Sequence, residues 1–518
     1  MFKSKMSNCK SAGVAQQLSW EVIWKKYGLL ILILILASFL RLFLLGHESL
    51  WADELASLRS VRIDLENRFS INRILYFLIL KFWLLFGDSE SWLRLPSVIF
   101  GVISVFLVYL LGAKLFDKTT GLIAALLLTL SPLAIFHSQE VRMYMLSVFI
   151  CLAGTLAATY YFLHRELKYA FLWLTLRILA ILTTPINVLL IVPDVAIWSW
   201  LILKKRNLWH HKRSITTLLL SAVALSLLLF SVLYPSIKPI VAFLKVRQEI
   251  EVELTFVSFI GGIARLTVWP LASPLQRFDW FYAHFFNLYG IALVFLILAS
   301  FFARQIPYHK ILMALWGLMP LGILFLACKL FAPVLWGIPR YTVFAAPYIF
   351  ILLALGITRI WHWKRKVALI IITMYFFAVS GSLWHYYSTD RGEDWQSVFQ
   401  TIHRYEQSHD VITAFPPGAK EALDYYYKGK SPIYLIDDTG VYPNQSEINL
   451  TLDNFFSGEE FNLNIKPNLR IWFILRYAHT GIALEDREIF TQRISQELNI
   501  DSHYKFSGVE VISAISKN

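Results

Sequence analysis

Charge is scarce in this chain of 518 residues, of which 16% are Asp, Glu, Lys or Arg, against roughly 25% in a typical soluble domain. With 57% hydrophobic and 16% aromatic residues, the composition excludes both a disordered chain and an ordinary water-soluble globule. Cysteine is equally sparse. Cys9, Cys151 and Cys328 lie far apart, so there is neither a disulfide framework nor a metal-type CxxC pair. No G-x-x-x-x-G-K-S/T loop and no G-x-G-x-x-G after a strand occurs, which argues against nucleotide chemistry of those kinds. A cleavable signal is not expected either. The apolar run from Gly28 to Leu45 is too long for a signal core and no small-residue cleavage site follows it, so it reads as a retained first span.

What the chain does have is apolar runs, recurring from Gly28 to about Trp384 at lengths near the roughly 20 residues that cross a bilayer. From Ser388 to Asn518 charge, Asn, Gly and Pro return and no spanning run survives. The expected organisation is therefore a cytoplasmic segment 1–27, a transmembrane domain 28–387 and a soluble domain 388–518. The formal net charge of +13 does not point to nucleic acid, because the basic residues sit in short clusters between apolar runs. These clusters are Lys3 to Lys26, Lys114 with Lys118, Arg165 with Lys168, Lys204 to Arg213, Arg304 with Lys310, and Arg359 to Lys366. The positive-inside rule places all of them in the cytoplasm.

Even numbers of crossings between clusters follow from spans near 120–136 and 142–163, 169–183 and 186–203, 214–234 and 283–303, and 311–328 and 340–358. Between Lys26 and Lys114 three runs compete: 28–45, 72–86 and 91–113. The run from Asn72 to Phe86 is the shortest and carries Arg73 and Lys81, so it is expected to lie in the outer interface. The reading is about eleven spans, an inner N-terminus and an outer C-terminal domain. The outer segments are then 46–90, 137–142, 235–282 and 329–340.

Three polar clusters fall on that outer face. Trp51-Ala-Asp53-Glu54 follows the first span, where adjacent carboxylates beside an apolar belt are costly unless hydrated, paired or used. A solvated loop anchored by Trp51 is the plain alternative. His137-Ser-Gln139-Glu140-Val-Arg142-Met-Tyr144 sits after Pro132 and reads either as a hydrated turn with Arg142 snorkelling or as a polar wall for a phosphate or hydroxyl substrate. Ile338-Pro339-Arg340-Tyr341 opens a late span, where the fixed donor fork of Arg suits an anionic headgroup or serves as an interface anchor. Arg41, near the outer end of the first span, has the same two readings. Asp53, Glu54, His47, His137 and Glu140 are hard or borderline ligands, so a divalent metal is an open option (Asp53, Glu140 and His137 above all), although their spacing is not diagnostic.

At these residues the chain resembles the polyprenyl-phosphate-sugar glycosyltransferases of the protein O-mannosyltransferase type, glycosyltransferase family 39, whose relatives include the lipid A aminoarabinose transferases and which share the GT-C fold. The resemblance runs through His47-Glu-Ser-Leu-Trp-Ala-Asp53-Glu54, Trp92-Leu-Arg94-Leu-Pro96-Ser with Phe100-Gly101, Ser131-Pro132 through Ser138-Gln139-Glu140-Val-Arg142-Met-Tyr144, and Pro339-Arg340-Tyr341 with Pro347. Arg391-Gly-Glu-Asp394-Trp395 leading to Asp410-Val-Ile is similar to the start of the outer domain in bacterial members. The resemblance implies an enzyme of the bacterial inner membrane that moves a sugar from a polyprenyl-phosphate donor to an acceptor hydroxyl on a lipid, glycan or protein, with inversion. It implies Asp53 as the essential carboxylate, with Glu54 beside it. Arg142, Arg340, Tyr144, Glu140, His137, Gln139, Tyr341 and Arg41 are the candidates for holding the donor phosphate and substrate. One departure stands out: relatives carry His-Pro-Pro or Lys-Pro before the interfacial helix, and here Ser70-Ile71-Asn72-Arg73 takes that place.

In the C-terminal domain the periodicity predicts helices over 394–407, 419–427 and near 485–498. Strands are expected at 411–415, 432–436, 469–475, 504–507 and 509–512, with a turn at Pro416-Pro417-Gly418. The alternation suggests a small α/β layer, and Asp437-Asp438 reads as a solvated turn. A transporter or flippase is the rival reading, but it would place ionisable residues near the midplane and often show matched halves. A ligase that moves a whole glycan or polymer is the closer rival.

Overall fold

The computed structural model describes residues 20–62, 73–204, 253–269, 279–303, 307–389, 392–415, 419–435, 455, 469–476 and 484–517. The chain is a multi-pass helical membrane protein carrying a small sheet domain at its C-terminal end. Helix α1 (Trp20–Leu42) leads into α2 (Ala52–Arg62) and the ten-residue α3 (Ile74–Trp83). There follow α4 (Glu90–Leu115), α5 (Lys118–Leu130), α6 (Pro132–Ser138), α7 (Tyr144–His164), α8 (Leu167–Thr183) and α9 (Ile191–Lys204). Further on lie α10 (Phe256–Arg265), α11 (Asp279–Phe301), α12 (Pro307–Phe331), α13 (Ala346–Trp363) and α14 (Arg365–Ser388).

Among the described residues six helices are long and apolar enough to cross a bilayer, and a seventh crossing arises if α5 and α6 are one span bent by 63°. The expectation of eleven spans is thus met only in part. The span expected over 214–234 lies outside the described residues, and α1 contributes only the shorter apolar stretch Tyr27–Leu42. The run 169–203 is divided by a 3₁₀ segment, Pro185–Leu190, because Pro185 cannot donate to the preceding turn. Helix α3 is too short to cross, as a spanning helix needs about 20 residues.

Small residues set how closely the helices pack. Helix α13 is buried from Ala346 through Gly356. A Cβ on Gly356 would fall 2.1 Å from the carbonyl oxygen of Leu296 on α11, so only glycine lets these two backbones touch.

After α14 the chain forms a five-stranded sheet in the order β2-β1-β3-β5-β4. Strand β1 (Val411–Phe415) runs parallel to β2 (Ile433–Leu435) and β3 (Arg470–Arg476), while β5 (Val509–Ser516) is antiparallel to β3 and to β4 (Leu498–Phe506). Helices α15 (Trp395–Tyr405), α16 (Lys420–Tyr426) and α17 (Leu484–Glu497) complete the layer. Strand β4 starts earlier than the pattern predicts, because it is an edge strand whose residues are mostly exposed and carry no apolar alternation to read. The turn expected at 416–418 and the Asp437-Asp438 pair lie outside the described residues. The domain rests on the segment following α1: Tyr426 Oη accepts from the Leu50 amide at 2.6 Å, and Ser49 Oγ accepts from the Gln396 amide at 3.0 Å. Tyr425 Oη donates to the Asp88 carbonyl at 2.5 Å, and Arg59 pairs with Glu421 at 2.5 Å.

Candidate active site

The break between α5 and α6 shapes the end of the bundle that carries the candidate residues. Ser131 Oγ accepts from the Ala134 amide and Pro132 occupies the first turn of α6, a capped start that suits both residues. The carbonyls that α5 leaves unpaired are met by Arg41, fully buried, whose Nη2 donates to Leu128 O at 3.1 Å and Nη1 to Thr129 O at 3.3 Å. Its Nε donates to Ser138 Oγ at 3.1 Å. A Cβ on Gly101 would lie 2.4 Å from that Ser138 Oγ and 3.0 Å from Arg41 Nε. The Gln139 amide nitrogen donates to Arg41 O and Phe43 O at 2.9 and 2.8 Å, and its carbonyl accepts from Tyr386 Oη at 2.5 Å. Arg41 and Gln139, both candidate substrate contacts from the sequence, therefore hold helix ends together instead of facing an open site.

Glu54 has the same fate, and the reason is geometric. Neighbours on a helix point about 100° apart, so when Asp53 faces outward Glu54 turns into the protein, where it is fully buried. Arg94 grips it from two sides, Nε to Oε1 at 2.9 Å and Nη2 to Oε2 at 2.7 Å. The Val141 and Trp51 amides donate to it at 2.7 and 3.2 Å. Arg94 also donates to the carbonyls of Leu45, Glu48 and Ser49. This buried pair thus binds the segment after α1 to α4 and to the 139–142 turn, and places Asp53 without reaching solvent itself. Ser97 Oγ secures the same turn by donating to Glu140 O at 2.7 Å.

Asp53, its neighbour, is one-third exposed and faces two guanidinium groups. Arg340 Nη1 donates to Oδ2 at 2.7 Å. Arg142 Nη2 lies 3.6 Å from the same oxygen, while its Nη1 donates to the Asp53 carbonyl at 2.8 Å and to Ser57 Oγ at 3.0 Å. Both cations bear on Oδ2, and Oδ1 has no partner among the described residues. Among the described residues the buried Nε atoms of Arg142 and Arg340 have no hydrogen-bond partner. Tyr144 and Tyr341 lie under the two guanidiniums, 5.8 and 5.5 Å from ring centroid to Cζ, at cation–π distance. Burial disfavours the charge on Arg142, but Tyr144 and Asp53 outweigh it and raise the pKa; Arg340 is raised in the same way, against burial, by Tyr144, Tyr341 and Asp53.

Arg73 joins this cluster, although its sequence context did not mark it as a candidate. It precedes α3 with φ 76°, a left-handed conformation that costs a residue with a Cβ about 1–2 kcal/mol. The charged and phenolic neighbours it feels are Arg142, Tyr144, Tyr341 and Asp53. Burial, and then the like charge of Arg142, lower its pKa. Among the described residues its guanidinium has no hydrogen bond or ion pair. The departure from the family pattern at residues 70–73 is the only sequence signal that touches this position.

His137 and Glu140 form a buried pair, Nδ1 to Oε2 at 2.8 Å. His137 Nε2 is buried without a partner among the described residues, and the ring packs against Tyr144 (centroids 4.6 Å apart) and Trp269 (6.4 Å). No three His, Cys, Asp or Glu side chains converge among the described residues, so the set Asp53, Glu140 and His137 is not assembled as a metal site: Asp53 is turned to arginines and Glu140 to His137. Tyr76, Leu80, Leu93, Pro96 and Phe100 pack beside Arg142 around a void of about 10 Å³.

Sequence reading also missed a buried ion pair. Arg177 on α8 donates from Nε and Nη2 to Asp194 on α9 at 2.6 and 3.1 Å. Trp173 and Trp316 donate indole N–H groups to the same carboxylate at 2.9 and 2.7 Å. Arg177 Nη1 donates to Cys151 O and Nη2 to Thr155 Oγ1. Every polar atom of the pair's head groups has a partner, which makes it a tie between α7, α8, α9 and α12.

This arrangement, a bundle with a broken span and a carboxylate set among arginines on one loop-bearing end, is that of a polytopic membrane protein. Residues 74–234 match the sequence model of the dolichyl-phosphate-mannose-protein mannosyltransferase family. Among solved structures the chain is similar to ArnT from Cupriavidus metallidurans in the apo state, with 11% identity, 94% of this chain and 98% of that chain covered, and a TM-score of 0.57. The same protein bound to undecaprenyl phosphate gives a TM-score of 0.56 at 11% identity, with the same coverage. The apo oligosaccharyltransferase of Archaeoglobus fulgidus is 13% identical, with 96% of this chain and 75% of that chain covered and a TM-score of 0.54. At such identities the likeness is one of fold. No curated protein matches the sequence.

Proposed function

We propose that the chain is a membrane glycosyltransferase that takes a sugar from a polyprenyl-phosphate donor and gives it to an acceptor hydroxyl, with inversion, at the outer face of the bacterial inner membrane. The observation that carries this reading is the Asp53 carboxylate anchored through Oδ2 by Arg340 at 2.7 Å, with Arg142 beside it and Oδ1 without a partner among the described residues. Oδ1 accepts the acceptor's hydroxyl proton, as a general base within hydrogen-bond reach. The acceptor oxygen bonds to the anomeric carbon from the face opposite the phosphate. The bond from that carbon to the phosphate oxygen breaks, and its electron pair stays on the oxygen as polyprenyl phosphate departs.

Negative charge therefore grows on the leaving phosphate, where the guanidiniums of Arg340 and Arg142 stabilise it from fixed positions in a partly dry site. Their unpartnered Nε atoms supply further donors for phosphate oxygens. The resemblance in sequence, the family match and the ArnT structure bound to undecaprenyl phosphate all support a lipid phosphate in this place. The C-terminal sheet domain, fastened to residues 49–59 and Asp88, lies on the same outer side and bounds the acceptor's approach.

The test is transfer itself. Purified protein in proteoliposomes, supplied with a panel of radiolabelled polyprenyl-phosphate sugars and membrane glycolipid or protein acceptors, is expected to move label from carrier to acceptor without added nucleotide. A protein that leaves every carrier loaded, or that moves the intact carrier between leaflets, would overturn the reading in favour of a transporter.

A further inference from the structure

A second cavity lies in the sheet domain, in a groove of about 290 Å³ between α15 and the end of α16, near the lower size limit of small-molecule sites, about 300 Å³. Phe399, Tyr426 and Tyr427 line it, with the Phe399 and Tyr426 rings 8° from parallel. Both phenol groups are already used. Tyr426 Oη accepts from the Leu50 amide at 2.6 Å and donates to Glu90, and Tyr427 Oη accepts from the Ser431 amide at 2.8 Å and donates to Glu406. What these two side chains offer a ligand is therefore carbon surface, held in a fixed orientation. Gln400 and His403, exposed on α15, line the same groove and make no hydrogen bond among the described residues. Lys428 is the one permanently charged residue along its lining.

Aromatic carbon beside free amide and imidazole groups is the surface that a sugar ring complements. A pyranose has a face of C–H groups, which suits the negative face of an aromatic ring, and a rim of hydroxyls, which a side-chain amide can serve as both donor and acceptor. The groove is also tied to the segment that carries Asp53. Besides the Tyr426 contact with Leu50, the Gln396 backbone amide donates to Ser49 Oγ at 3.0 Å and its side chain donates to Glu90. Leu50 precedes Asp53 by three positions, so their Cα atoms are at most about 11 Å apart. Resting on the transferase reading above, we infer that this groove seats a sugar ring of the acceptor, so that the acceptor carries a glycan and the sheet domain selects it.

The test uses the full-length protein in nanodiscs without donor. It is titrated with oligosaccharides built from glucose, galactose, mannose and N-acetylglucosamine and, separately, with short Ser/Thr peptides, and saturation-transfer NMR reads binding and the ligand protons in contact. Wild type is expected to bind saccharides, with transfer strongest to the C–H protons on one face of a ring. The double variant Gln400→Ala with His403→Ala should weaken binding about tenfold or more, as loss of two ordinary hydrogen bonds implies. Its unfolding temperature should stay unchanged, because both side chains are exposed. Tyr427→Phe keeps the ring and should keep the binding. In the proteoliposome assay the double variant should raise KM for the acceptor by a similar factor and leave KM for the loaded carrier as it was. No saccharide bound by wild type, peptides bound in place of saccharides, or an unchanged affinity in the double variant would each overturn the inference; continued transfer of label would then leave the transferase reading intact. Saccharide binding without transfer from any carrier would support the groove and overturn the transferase reading alone.

Discussion

Arg340 Nη1 stands 2.7 Å from Asp53 Oδ2, although 287 positions of sequence separate the two residues. Through this one contact the end of the first span meets the entrance of α13, and Arg142 at 3.6 Å closes the group from the 139–142 turn. The ion pair is about one-third open to solvent. Exposed pairs of this kind contribute little to stability, so its value lies in placing charge where a phosphate would sit.

Replacing Asp53 by Asn removes the proposed base while keeping shape and a partner for Arg340. Transfer should fall by about 10²–10⁴-fold, the usual contribution of a positioned base. Thermal unfolding in detergent should be nearly unchanged. Single-turnover assays on proteoliposomes of both proteins check it, and a variant that transfers at the wild-type rate removes Asp53 from the mechanism.

Arg340→Ala should cost transfer about 10²–10³-fold, as loss of one preorganised charge donor does elsewhere. Arg340→Lys should recover only part of that, because a point charge replaces the forked guanidinium. The loss should appear mainly in kcat, where the growing phosphate charge is felt, and a change confined to KM would mean that Arg340 only binds substrate.

Glu54 is expected to behave differently from its neighbour. Glu54→Gln leaves the buried Arg94 without a counter-charge, and breaking such a pair costs about 3–5 kcal/mol. Unfolding temperature should drop along with activity. The double variant Glu54→Leu with Arg94→Met should regain part of the stability, since an apolar pair of similar volume avoids burying charge. If Glu54→Gln is as stable as wild type yet inactive, Glu54 belongs to the chemistry after all.

Gly356→Ala tests the packing of the bundle. Its methyl would stand 2.1 Å from Leu296 O, a backbone atom that cannot swing away. Overpacking of this sort typically costs about 1–3 kcal/mol, visible as a lower unfolding temperature, with no local effect on lipid binding.

How far the sequence could be read depended on what each residue's signal was. Asp53, Arg142 and Arg340 stand beside apolar runs, where a charge is conspicuous, and the structure brings these three together. Arg41 was equally conspicuous, but its partners are the carbonyls at the end of α5, and unpaired backbone groups leave no mark on the side-chain pattern. Adjacent carboxylates do not say which one turns inward; Arg94, 40 residues further on, decides it for Glu54.

Arg73 counted in the sequence only as a charge on the interfacial run 72–86 and as part of the departure at 70–73, because its left-handed backbone exists only in three dimensions. Asp194 and Arg177 neutralise each other across 17 residues on successive helices, which a hydropathy reading of either segment cannot register. In the sheet domain the buried strands β1 and β3 were plain from their apolar runs, whereas the exposed edge strand β4 gave no such period.

The central claim is that the carboxylate and its arginines share one outward-facing pocket, and sidedness tests it most directly. Single cysteines at positions 53, 142 and 340, in a background lacking Cys9, Cys151 and Cys328, can be exposed to a membrane-impermeant maleimide from outside intact cells or right-side-out vesicles. The account predicts that all three positions label from outside and that preincubation with undecaprenyl phosphate slows the reaction at each. Positions 53 and 142 labelling from opposite sides of the membrane would contradict it.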